Sequence, residues 1–136
     1  MARFPSRAWM QAYSEALAAH PDARAVAEAL DGVYRFVVEP AGPVTERGVY
    51  DLEVRPGDPP HIAPIEPANG REPDLTLRAD YKRWRELIRG EADPAMAVLF
   101  GRLKISGGLR AVRGRLDSAR PLVDAIRSVE TEWPDD

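Results

Sequence analysis

The sequence contains no cysteine, which rules out disulfides, thiolate metal sites and cysteine nucleophiles but leaves the redox compartment open. Lysine is nearly as scarce. Lys82 and Lys104 stand alone, and the other basic residues are arginines. His20 adjoins a proline and His61 lies in a proline-rich stretch, and neither has a partner at a metal-ligand or triad spacing. No HExxH, GxSxG or Walker-type pattern occurs. Neighbouring acids, such as Glu91 with Asp93 or the Asp135-Asp136 end, read as caps and solvated ends. Neither catalysis nor a metal or cofactor is therefore expected. Long apolar runs are missing too: the longest is Ala95 to Phe100, against the roughly 20 residues that span a bilayer. Met1 to Arg7 lacks the apolar stretch of a secretory signal, so the expected location is cytoplasmic.

What is present is ordinary globular composition, 44% hydrophobic and 30% charged over 136 residues, which fits one domain spanning 1–136 with a real core. The net charge of −3 argues against general affinity for nucleic acid. Charge is unevenly placed, however. Between Arg102 and Arg120 six basic residues face one acid, Asp117, so this stretch holds +5 and the rest of the chain −8.

Periodicity alternates between helix and strand. Ser6 can cap a helix reaching about Ala19, with Trp9, Ala12, Tyr13, Ala16 and Leu17 on one stripe. Asp22 can cap a short second helix, with Val26 and Leu30 inward and Gly32 ending it. Val33–Glu39, Gly48–Arg55, Leu75–Asp80 and the Leu103/Ile105 stretch alternate with period two. In the second of these, Tyr50, Leu52 and Val54 face a core while Asp51, Glu53 and Arg55 face water. Residues 56–73 are rich in proline, and a short strand at Ile62–Ile65 would be held to an edge by Pro64. Asp80 then caps a helix with Tyr81, Trp84, Leu87 and Ile88 on one face, closed by Gly90. Asp93-Pro94 opens a short helix that groups Met96, Leu99 and Phe100. After a Gly107-Gly108 turn, one helix carries Leu109, Val112 and Leu116, and a last one carries Leu122, Val123, Ile126 and Val129. Trp133-Pro134 either packs back onto the body or stays disordered. The expected fold class is two-layer α+β: an antiparallel sheet covered on one face by helices.

From Pro73 to Leu116 the series is distinctive. Pro-Asp-Leu-Thr-Leu-Arg-Ala-Asp-Tyr is followed by Trp84, Leu87-Ile88-Arg-Gly90, Asp93-Pro94 and Gly101-Arg-Leu-Lys-Ile-Ser-Gly107. In order and spacing this resembles the sterol-carrier-protein-2 family. The resemblance implies a sheet of about five strands covered by helices, with an apolar tunnel between the layers. It implies binding of sterols, fatty acids, acyl-CoA or other lipids, and it offers no catalytic residues to carry over. Related domains occur fused to alkyl sulfatases and acetyltransferases, or assist bacterial ubiquinone synthesis. The peroxisomal Ser-Lys-Leu tail of animal relatives is not found here.

On that resemblance, Trp84, Leu87, Ile88, Met96, Leu99, Phe100, Ile105, Leu109 and Val112 are candidate lipid-cavity residues, although stripes at helical spacing also describe a plain core. Arg110 and Arg113, with Arg102 and Lys104 nearby in sequence, are candidate contacts for an anionic headgroup or an anionic membrane surface. The plainer reading is a solvated face. The expected function is non-catalytic carriage of a hydrophobic small molecule, with a transient membrane contact and a homodimer as further candidate partners. Two alternatives remain: an interaction or dimerisation module with a filled core, or an accessory subunit of a lipid-modifying enzyme.

Overall fold

The computed structural model describes residues 1–67, 72–107 and 119–135, the side chains of 119 and 120 excepted. The first helix, α1 (Arg7–Ala18), starts where the Ser6 hydroxyl accepts the Trp9 N–H at 3.0 Å. Its buried face is wider than the expected stripe, adding Met10 and Ser14 to Trp9, Tyr13 and Leu17. Ser14 tolerates burial because its hydroxyl donates to the Gln11 carbonyl at 2.8 Å. The short helix α2 (Ala23–Ala29) has no side-chain cap from Asp22, whose backbone N–H instead donates to His20 Nδ1 at 3.0 Å. Gly32 does not end α2 either. The helix stops at Leu30, and Gly32 already belongs to the next strand. A Cβ at Gly32 would lie 2.8 Å from Asp74 Oδ2, so only glycine fits without displacing that carboxylate.

Five strands form the main sheet: β2 (Gly32–Glu39), β3 (Gly48–Arg55), β4 (His61–Ile65), β5 (Leu75–Asp80) and β6 (Lys104–Gly107). They lie in the order β4-β3-β2-β5-β6. Pro64 sits in the edge strand β4, where a missing N–H can face away from the ladder. The two-layer α+β class holds, but the expected all-antiparallel sheet needs one correction: the central pair β2 and β5 runs parallel. Alternation reports only that one face is covered, and a parallel pair beneath a single helical layer alternates equally well.

Register places Tyr34, Phe36 and Val38 of β2 on one face with Tyr50, Leu52 and Val54 of β3. Leu75, Leu77 and Ala79 of β5 extend that face, and Ile105 of β6 pairs with Leu77. The helices cover it, α1 along β3 and β4 and α3 (Tyr81–Ile88) along β2 and β5. On the opposite face Arg35 and Asp51 are directly opposed in the ladder. Two charge-assisted bonds join them, Nε to Oδ1 at 2.9 Å and Nη2 to Oδ2 at 3.0 Å. Asp51, expected to face water, is only 3% exposed. A solvated carboxylate was the natural reading of the alternation, and it is the bidentate arginine that makes burial tolerable.

In α3 the Asp80 carboxylate caps the Arg83 N–H at 2.9 Å, and Gly90 follows the helix at φ +75°. The next helix, α4 (Pro94–Leu99), has Asp93 capping Ala95 N–H at 2.9 Å and proline at its first turn. The helix expected to carry Leu109, Val112 and Leu116, and the turn at Gly108, lie outside the described residues. The last helix is α5 (Ala119–Ser128). Beyond it, β7 (Thr131–Glu132) pairs in parallel with an unanticipated strand β1 (Ala2–Arg3). From α1, Trp9 Nε1 donates to Thr131 Oγ1 of β7 at 3.0 Å. Trp133 packs back, its ring 5.6 Å from Phe4 and 6.4 Å from Tyr81. Tyr81 Oη donates to Asp135 at 2.7 Å. The two chain ends therefore form a latch over the start of α1 and α3. Among the described residues no helix is long and apolar enough to cross a membrane.

Candidate functional site

Between α1, the covered sheet face and α3 lies a crevice lined almost entirely by carbon. Trp9, Met10 and Tyr13 come from α1, preceded by Phe4, Pro5 and Ser6; Phe36, Val38 and Tyr50 form the sheet floor; Trp84 and Ile88 form the α3 wall, and Ile126 of α5 closes one end. Rotamer-poor aromatics stiffen each wall. Trp9 stacks on Tyr13 at 5.6 Å and meets Phe4 edge-on at 5.0 Å, while Phe36 packs on Trp84 at 5.9 Å. Polar tips are turned away or bonded. Trp84 Nε1 donates to the buried Val37 carbonyl at 2.9 Å, and Tyr13 Oη makes a long 3.4 Å bond to the Leu122 carbonyl. Burial pushes the Tyr13 phenol well above the usual tyrosine range, and pushes Tyr50 up to a lesser degree. The space a water-sized sphere reaches between the walls is about 20 Å³, room for about one water.

A second cleft, about 250 Å³, lies between α3 and α4. Leu87, Ala92, Met96, Ala97 and Phe100 supply its apolar surface, and Arg83, Glu86, Glu91, Asp93 and Arg102 its charges. The two recesses divide the residues expected to line a single cavity. Trp84 and Ile88 line the crevice; Leu87, Met96 and Phe100 line the second cleft. Ile105 is half-buried beside Leu77 on the covered sheet face. Leu99, grouped with Met96 and Phe100 by spacing, is exposed with them: 72%, against 45% and 62%. Instead of those three, α4 turns Ala97 into the core. The Ala97 carbonyl accepts both Arg102 N–H (2.8 Å) and Leu103 N–H (3.1 Å), which close the end of the helix. Leu109, Val112, Arg110 and Arg113 lie outside the described residues. The crevice residues of α1 and β2 were visible as apolar positions, but nothing local says that they meet α3.

His20 is half-buried. Its Nδ1 accepts from Asp22 N–H and its Nε2 lies 3.5 Å from Asp124. His61 Nε2 contacts Glu53 at 3.1 Å on the surface. Among the described residues no cluster of histidines and acids could hold a metal.

The site is thus a carbon-lined crevice between a sheet and the helices that cover it. The chain belongs to the SCP-2 sterol transfer family, whose model matches residues 13–113. The resemblance read from the Pro73–Leu116 series is thereby borne out. Its structure is similar to a crystal structure of sterol carrier protein 2, with TM-score 0.75 and 25% identity over 92% of this chain and 98% of that one. It is similar also to a conserved hypothetical protein of Thermus thermophilus, with TM-score 0.74 and 23% identity over 93% and 90% of the two chains. Sterol carrier protein domain 2 of Helicoverpa armigera aligns with TM-score 0.61 and 20% identity over 97% and 98%. Comparison with curated proteins yields no match.

Proposed function

We propose that the crevice between α1, the covered sheet face and α3 takes up the tail of a fatty acyl, sterol-like or isoprenoid lipid as its walls part. The chain would then act as one domain that holds or delivers this ligand. The observation that carries this reading is the lining itself: aromatic and aliphatic surface on three separate elements, with almost no polar surface. Burying ten methylenes is worth roughly 8 kcal/mol gross, or about micromolar binding before ordering and opening costs are subtracted. At about 20 Å³ the closed crevice is far smaller than such a chain, so uptake requires α1 and α3 to separate. That same small volume favours the rival reading, a filled core serving an interaction module.

A brominated fatty acid titrated into the protein tests the two. Bromine quenches indoles at contact, and Trp9 and Trp84 face the crevice. Saturable quenching, retained when Trp133→Phe removes the indole outside the lining, supports uptake. Unchanged fluorescence up to high micromolar concentrations supports the filled core.

A further inference from the structure

Beyond β7 the chain sets an acid against α3. The two carboxylate oxygens of Asp135 meet two different donors: Oδ1 accepts from Tyr81 Oη at 2.7 Å, and Oδ2 lies 3.4 Å from Arg85 Nη1. The donors stand four residues apart on α3, about one helical turn, and so share a face. The Tyr81 hydrogen bond, aided by the Arg85 and Arg89 charges, holds the Asp135 carboxyl below the usual carboxylate range. Both donors are fixed by packing. Tyr81 is fully buried, its ring stacked on Phe4 at 6.1 Å, and the Arg85 guanidinium lies 5.9 Å over the Trp133 ring. Asp135 itself is exposed, so another carboxylate can take its place from solution.

The pair adjoins the crevice. Trp84, between the two donors in sequence, forms its α3 wall, and Phe4 belongs both to its lining and to the Tyr81 stack. The lining offers the polar end of an amphiphile almost nothing, and an ionised head buried among carbon costs more than the tail gains. Beside Phe4 that head meets one hydroxyl and one guanidinium, placed to receive the two oxygens of a carboxylate as they receive those of Asp135. The single hydroxyl of a sterol or an isoprenoid alcohol engages only one of them. Asp135 therefore marks the chemistry of the ligand by standing in for it.

Resting on the crevice reading, we infer that Tyr81 and Arg85 anchor the carboxylate of a long-chain acid whose tail lies in the crevice, and that Asp135 occupies this anchor until the acid displaces it. An intramolecular competitor lowers apparent affinity by the fraction of molecules whose anchor is open. Titrations of the full chain with brominated stearic acid and with brominated stearyl alcohol, read by quenching of Trp9 and Trp84, test it. Asp135→Ala should tighten binding of the acid about fivefold or more and leave that of the alcohol unchanged within about twofold. Adding Arg85→Gln or, separately, Tyr81→Phe should reverse that gain, for the acid alone. Asp135 is exposed, so its replacement should keep the parent's circular dichroism. If Asp135→Ala leaves saturable quenching by the acid unchanged, or tightens both ligands alike, the inference falls and the crevice reading stands. If neither ligand quenches the parent or any variant, both fall.

Discussion

Replacing Trp84 with alanine removes the ring that joins α3 to the centre of the sheet. Trp84 is 5% exposed, packs on Phe36 at 5.9 Å, and donates its indole N–H to the Val37 carbonyl at 2.9 Å. Deleting a buried tryptophan costs about 3–5 kcal/mol in transfer and cavity terms, and the lost hydrogen bond adds about 1 kcal/mol. The sum, about 4–6 kcal/mol, is a large share of a stability of about 5–15 kcal/mol. Trp84→Phe keeps an aromatic wall and loses the N–H and part of the area, so about 1–2.5 kcal/mol is expected. Urea unfolding followed by circular dichroism measures both. On the proposed function, a fatty acid at about a hundred times its Kd should return about 2.7 kcal/mol to either protein that still binds it. A loss below about 2 kcal/mol for Trp84→Ala would show that α3 does not lean on this ring. Equal losses for alanine and phenylalanine would show that the hydrogen bond, and not packing, holds the wall.

The Arg35–Asp51 pair offers a second test. Asp51→Ala leaves a quarter-exposed guanidinium unpaired and should cost about 2–3 kcal/mol by urea unfolding. Arg35→Met with Asp51→Leu should come close to neutral, since apolar replacements remove both desolvation penalties. Gly90→Ala forces an L side chain to φ +75° with its Cβ 3.2 Å from Arg127 Nε; a loss of about 1–2 kcal/mol is expected, read from the melting temperature. Tyr13 sets an alkaline limit. Because burial raises its folded-state pKa, its stabilising contribution is complete below the ordinary value near 10 and falls away as pH climbs above it. Tyr13→Phe should flatten that alkaline limb in pH-dependent unfolding; an unchanged limb would assign it to another group.

The parts of the fold that depend on neighbours in sequence were legible there. Ser6, Asp80 and Asp93 each make the capping bond that their positions suggest, because a cap is a contact over two or three residues. Tyr81, Trp84, Leu87 and Ile88 repeat at helical spacing and are all buried. Most of what failed depends on distant partners. The parallel pairing of β2 with β5 and the β1–β7 latch join segments far apart in sequence, and alternation carries no direction. Asp22 looked like a cap, but its backbone lies at φ −95°, ψ 12° and not in the extended region a cap needs, so its side chain caps nothing. In α4, residues 95–100 are apolar on every side, so no stripe indicates which face turns inward. Only the packed structure shows that Ala97 turns inward. For the site, the same limit applies. Trp9, Tyr13, Phe36 and Tyr50 were readable as apolar positions, but only topology brings them opposite Trp84 and Ile88.

Native mass spectrometry of the purified protein, followed by denaturing extraction, tests the central claim most directly. The expected result is a fatty acid, sterol-like or isoprenoid lipid at about one per chain, released on unfolding. A ligand-free mass, together with no binding of an added fluorescent fatty acid up to high micromolar concentrations, would contradict the claim and leave the crevice as a packed core.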